Sequence, residues 1–284
     1  MDRRDGKRVK DINGMEQLIL DIKPNRSEAD VFIQDDVDVT NLMKYLDKAK
    51  KEGRDITIFH AVLTAFAKTI YNRPKLNRFI ANRHVYEHNE VTISFVAKVA
   101  FTDKAEEIML IIPVDLHDNI DTISKKIKDK VESIRNEKDI SKKGANGALD
   151  TLGRLPNIIR VPLIGLFKWM DQRDLLPKSL TEDNLYYSSA MMSNIGSLGS
   201  KSIYHNNTNF GTCSSMTTIG VLHEKEVIED KKKKTIKVID FGINFDERVA
   251  DGFYLIRSFD LFKYILNNPE LLDDAASKKY DINK

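Results

Sequence analysis

Apolar residues recur at three- and four-residue steps in several stretches of the chain, and each such stretch predicts an amphipathic helix. Leu42, Tyr45, Leu46 and Ala49 line one face of "DVTNLMKYLDKAKKEG", with Thr40 as the expected N-cap and Gly53 as the stop. Phe59, Val62, Leu63, Phe66, Ala67 and Ile70 do the same in a longer helix that must end before Pro74. Ile120, Ile123, Ile127 and Val131 mark a third, and Leu255, Phe259, Phe262 and Leu266 a last one. Between them the period changes. "HVYEHNEVTISFVAKVAF" alternates like a strand, and "EEIMLIIPV" is a continuous apolar run suited to a strand buried on both faces. "NLYYSSAMMSNIG" and "SSMTTIGVL" read as two more strands. "KEVIEDKKKKTIKVIDFGINF" reads as a hairpin turning at its charged centre.

Helices and strands in this order predict an α/β (α+β) chain with a mixed β-sheet, because hairpins and crossovers coexist. Residues 136–153 are polar and read as a connection. The segment Leu155 to Met170 breaks the pattern: only Asn157, Arg160 and Lys168 are clearly polar in it. It is too short to span a bilayer, and Pro162 is expected to interrupt it. Apolar residues all round are expected to be buried in a subunit interface or over a channel. The lesser reading is a membrane-surface helix with a basic rim of Arg154, Arg160, Lys168, Arg173 and Lys178.

Composition narrows the classes. The 284 residues are 41 % hydrophobic, enough for a sizeable core, and 31 % charged, with a formal net charge of only +2. A dedicated nucleic-acid binder carries a clearer basic excess, so none is expected. The lone cysteine, Cys213, excludes an internal disulfide framework and makes a reducing cytoplasm the expected location. The charged N-terminus does not read as a secretory signal. His84 and His88 lack acidic or cysteine company, so no metal is expected. No glycine-rich phosphate loop and no G-x-S-x-G elbow occur.

The informative chemistry lies at "DERVADG", residues 246–252, with "PNRSEADVFI", "RPKLNRFI" and "MMSNIGSLG" before it, in that order. Together these stretches resemble the catalytic domain of the dihydrolipoamide acyltransferases of 2-oxoacid dehydrogenase complexes and the chloramphenicol acetyltransferases that share its fold. The resemblance covers most of residues 12–275. It implies a chloramphenicol acetyltransferase-like two-layer sandwich, as a single catalytic domain over 1–284 with an apolar helical insertion at about 140–185. Neither a lipoyl nor a peripheral-subunit-binding domain is read in the sequence. The resemblance further implies a homotrimer with its active site between subunits, and coenzyme A or acyl-coenzyme A as substrate beside a small acyl acceptor.

The resemblance also assigns roles. Ser193 falls on the serine that donates to the oxyanion; its plainer reading is a strand-end serine capping its own turn. Arg26 is expected to pair with Asp251, which with Gly252 holds the loop, while Asp246 and Arg248 read as local scaffolding. Glu247 falls where the family has its catalytic histidine. Proton transfer from a thiol to an unperturbed glutamate is uphill by about 6 kcal/mol, against about 3 for a histidine, so Glu247 needs a raised proton affinity to serve as general base. Two functions follow: an acyltransferase with a carboxylate base, or an inactive trimeric binding or scaffold protein. His205, between two strands, is either a relocated base or a loop histidine bonding its neighbours. Nothing near Cys213 argues for an activated thiol.

Overall fold

The computed structural model describes residues 1–98, 107–135 and 152–282. The expected connection over 136–153 falls almost wholly outside them. The chain runs β1 (Gly6–Arg8), α1 (Gly14–Ile22), β2 (Asp30–Asp38), α2 (Thr40–Lys51), α3 (Ile58–Asn72), β3 (Arg78–Ala81), β4 (His84–His88), β5 (Val91–Lys98), β6 (Glu107–Val114), α4 (Ile120–Arg135), α5 (Asn157–Asp171), β7 (Ala190–Asn194), β8 (Ser215–Glu229), β9 (Lys232–Asp246) and α6 (Gly252–Asn267). A mixed six-stranded sheet has the order β2-β9-β8-β7-β5-β6; β7 is parallel to both its neighbours and the other pairs are antiparallel. β1, β4 and β3 form a small second sheet. This is the chloramphenicol acetyltransferase-like α/β fold.

Alternation along β9 sends Phe241, Ile243 and Phe245 to one face of the sheet, where α2, α3, α4 and α6 supply the opposing apolar stripes. Phe262 of α6 sits at the centre. It meets Phe66 and Phe241 edge-on at 5.9 and 5.2 Å, and each fully buried ring contributes about 2–3 kcal/mol. Lys68 is buried within α3, and its ammonium donates to the carbonyls of Asp274 and Ala275, pinning the C-terminal segment.

The opposite face of the sheet is covered by the loop 195–214. The Ile203 amide donates to Thr218 Oγ1, which donates back to the Ile203 carbonyl, and the Ser202 amide donates to the Asp240 carboxylate. The approach is close enough that only glycine fits at its start. A Cβ on Gly196 would lie 2.1 Å from the Gly220 carbonyl oxygen. This contact turns the chain immediately after Ser193.

Several expectations change. α2 begins at Thr40, but Thr40 Oγ1 accepts from the Lys237 amide across to β9 and does not cap its own helix. Gly53 does follow the helix end, with φ +80°. The alternating run from His84 is two strands in different sheets, broken at Asn89–Glu90. β6 is an edge strand buried on one face: Leu110, Ile112 and Val114 point inward, while Pro113 is exposed where a missing N–H costs nothing. The two strands read before the charged turn are one continuous strand, β8, and the turn is Asp230–Lys231 with both φ positive. α5 runs through Pro162, whose missing N–H leaves the Ile158 carbonyl without its helical partner.

Candidate active site

Ser193 closes β7 on the sheet face that the loop covers, paired in register with Thr218. Its hydroxyl makes no hydrogen bond among the described residues. The turn that follows is capped by its neighbour: Asn194 Oδ1 accepts from the Ser197 amide at 3.3 Å, and Ser197 Oγ donates to the Asn194 carbonyl at 2.8 Å. The turn-capping reading of Ser193 is therefore replaced. The hydroxyl lines a cleft of about 1160 Å³ whose walls are largely apolar, including Phe59, Phe95, Met109, Met192 and Met216. His205 lines the same cleft; its ring is exposed, with Nδ1 3.2 Å from the Asn206 carbonyl oxygen. The loop carrying His205 is anchored by Asn207, whose amide and side chain both donate to Asp30 at 3.1 and 2.9 Å.

Cys213 also borders the cleft, but burial pushes its thiol up and its Sγ donates to the Ser215 carbonyl. A protonated, hydrogen-bonded thiol is a poor nucleophile.

The "DERVADG" stretch spans the end of β9 and the start of α6. Asp246 is completely buried and carries the local electrostatics. Arg248 grips it through two bonds, Nε to Oδ1 at 2.8 Å and Nη2 to Oδ2 at 2.6 Å, and reaches the carbonyls of Lys23 and Pro24 with Nη1. Arg26, 3 % exposed, approaches the same carboxylate with Nε at 3.5 Å and donates to the carbonyls of Thr208 and Gly211. Arg26 thus pairs with Asp246 and not with Asp251. The reason is local: Asp251 is the N-cap of α6, exposed, with Oδ1 accepting from the Tyr254 amide at 2.8 Å. Asp246 and Arg248, read as minor scaffolding, are the buried centre of the region. Gly252 opens α6 with nothing within 4 Å of where a Cβ would stand, so no close approach inside the chain requires a glycine there.

Glu247 points away from this knot. Its amide donates to the Ala29 carbonyl, and its half-buried carboxylate is held by the ammonium of Lys23, the residue that ends α1. Arg248, next in sequence, is turned to Asp246 instead. Lys23 was not anticipated, since 224 residues separate it from Glu247 and no local pattern announces it. Glu247 does not line the Ser193 cleft within the chain. Ser193 and His205 thus line one cleft, and Glu247, Asp251 and Gly252 are not among its lining residues. Among the described residues no three His, Cys, Asp or Glu side chains converge as metal ligands.

Comparison with known proteins bears on these residues. Residues 9–149 match the sequence profile of the family described as 2-oxoacid dehydrogenases acyltransferase (catalytic domain). No curated protein sequence matches the chain. A probable dihydrolipoamide acetyltransferase from Listeria monocytogenes superposes with a TM-score of 0.59 at 18 % identity, over 92 % of this chain and 95 % of that one. The dihydrolipoamide acetyltransferase of Azotobacter vinelandii gives 0.57 at 14 % identity, over 93 % of each chain. A chloramphenicol acetyltransferase gives 0.53 at 12 % identity, over 93 % of this chain and 98 % of that one.

Proposed function

We propose that this chain, which carries the 2-oxoacid dehydrogenase acyltransferase signature in residues 9–149 and the fold of those enzymes over its length, transfers an acyl group from a coenzyme A thioester to a small acceptor. The observation that carries this reading is the Ser193 hydroxyl, uncommitted to any described residue at the wall of a largely apolar cleft. A base removes the proton of the acceptor, and the nucleophile attacks the thioester carbonyl. The negative charge that builds on the carbonyl oxygen accepts the Ser193 hydrogen bond, which strengthens in the transition state where little water competes. Collapse of the intermediate expels the coenzyme A thiolate, which takes up the proton.

Glu247 is the proposed base, delivered to the Ser193 cleft by a neighbouring protomer of a homotrimer. Two observations agree with this: its position in the "DERVADG" frame, and its absence from the lining of its own chain's cleft. Lys23 must be displaced before the carboxylate can take a substrate proton. His205 is the base to be tested against it, because it already lines the cleft. A serine, a histidine and an asparagine have been investigated in the catalytic mechanism of the Azotobacter enzyme; Ser193 and Glu247 are the proposed counterparts of the first two.

Complementation tests the arrangement. Ser193→Ala and Glu247→Gln are each expected to slow thiol release from acyl-coenzyme A by at least about 100-fold. Co-expressed in one cell, they are expected to recover part of it in mixed trimers, where an intact Ser193 faces an intact Glu247. Full activity in Glu247→Gln with none in His205→Asn reassigns the base to His205. A monomer by light scattering removes the shared site.

A second reading is favoured by the Lys23–Glu247 pair itself: an inactive trimeric binding or scaffold protein, its former base neutralised by an ammonium. Absence of turnover across a broad acceptor screen, with activity created by Glu247→His, identifies that case.

A further inference from the structure

α5 is apolar on the side that the rest of the chain leaves open. Ile158 and Val161 are 84 % and 63 % exposed, and Ile159, Leu166 and Trp169 are about half exposed. The opposite stripe, Arg160, Leu163, Phe167 and Met170, is half-buried against the chain. The open face is therefore a surface that no described residue covers.

Charge around that face is of one sign. No acidic residue occurs from Leu152 to Met170, although the whole chain carries 43 acidic residues against 45 basic ones. Lys168 and Arg173, both exposed, border the apolar residues, and Asp174 beside them is paired with Arg4. Asp171 is buried, engaged by the Tyr187 hydroxyl and the Gly211 amide. The Arg173 guanidinium lies 4.5 Å from the Trp169 ring, a cation–aromatic pair of the kind that sits at a membrane–water boundary. A parallel second copy of the helix is a poor match, since it sets Lys168 and Arg173 against their own like charges. An anionic lipid surface offers both apolar depth and negative charge. A helix of 15 residues is about 22 Å long, and no described helix is long and apolar enough to cross a membrane, so α5 would lie in the plane of the surface.

We infer that α5 docks the protein onto an anionic lipid bilayer, with Ile158, Val161, Leu166 and Trp169 inserted and the bordering cations on the headgroups. Lys168 also lines the Ser193 cleft, so docking turns that cleft toward the lipid. The docking does not depend on the acyl-transfer reading, and its test uses no turnover.

Flotation of the intact protein with vesicles is the measurement. Recovery is expected with phosphatidylcholine–phosphatidylglycerol vesicles and not with phosphatidylcholine alone. Lys168→Glu and Arg173→Glu are each expected to lower partitioning by at least about fivefold. Combined Ile158→Ser, Val161→Ser and Trp169→Ser is expected to abolish it while circular dichroism and light-scattering mass stay unchanged. No flotation, equal flotation on neutral vesicles, or flotation undiminished in the variants overturns the inference. So does a fall in oligomer mass in the triple variant, which would make the face a subunit contact.

Discussion

Lys23 at the end of α1 and Glu247 in the turn after β9 form a half-buried ion pair, with the two side chains 39 % and 31 % exposed. The pair occupies the one carboxylate that the "DERVADG" frame puts forward for chemistry. Removing the ammonium leaves that carboxylate free to accept a proton, so Lys23→Met is expected to raise the rate of thiol release. Glu247→Gln is expected to lower it by about 10²- to 10⁴-fold, the usual cost of a lost general base. Stability should hardly register the Lys23 change, since a pair this exposed contributes at most about 1 kcal/mol. Steady-state kinetics beside urea unfolding separate the two effects.

Ser193→Ala is expected to lower kcat by about 10²- to 10³-fold, as loss of one oxyanion donor does. The same variant is expected to unfold within about 0.5 kcal/mol of the parent, because the hydroxyl has no described partner to lose. A large destabilisation with unchanged kcat would return Ser193 to a structural role.

The two aspartates of the frame are expected to differ sharply. Asp246→Ala leaves the guanidiniums of Arg26 and Arg248 buried without their carboxylate, a loss of about 3–5 kcal/mol. Asp251→Ala removes a helix cap and costs about 1 kcal/mol. Chemical denaturation of the two variants compares them directly.

Acid should destabilise the fold through two histidines, the buried His60 and the part-buried His88. Burial pushes both His60 and His88 down to about 4. The folded value lies below the unfolded value of about 6.5. The unfolded chain therefore binds protons first as pH falls, and stability declines from about 6.5 down toward 4. Thr57 donates its amide to His60 Nδ1, a bond that only an unprotonated nitrogen accepts. His88→Asn is expected to flatten the decline in a pH series of thermal unfolding.

Elements with one strongly periodic face were readable from sequence: α3, α4 and α6 lie close to their expected positions because the face they bury is decided by their own residues. β4 and β5 were not separable, since alternation continues through Asn89–Glu90 and only tertiary pairing assigns the two halves to different sheets. β2 was missed. Asp35, exposed on an edge strand, interrupts the apolar alternation of Ile33 and Val37, and the part-buried Asp36 pairs with Lys225. In the site, sequence singled out Arg26, Asp246, Glu247, Arg248 and Asp251, but neither Lys23 nor the pairing. Arg26 has two aspartates within reach of the frame, and the choice between them depends on which one α6 takes as its cap.

The buried knot of Arg26, Asp246 and Arg248 holds the backbone at position 247 without using that residue's side chain. Structural and chemical duties therefore fall on adjacent but separate residues. A histidine or a glutamate can stand at 247 with little consequence for folding, so the site is evolvable there, and its reactivity can be lost, altered or restored by a single codon while the scaffold persists.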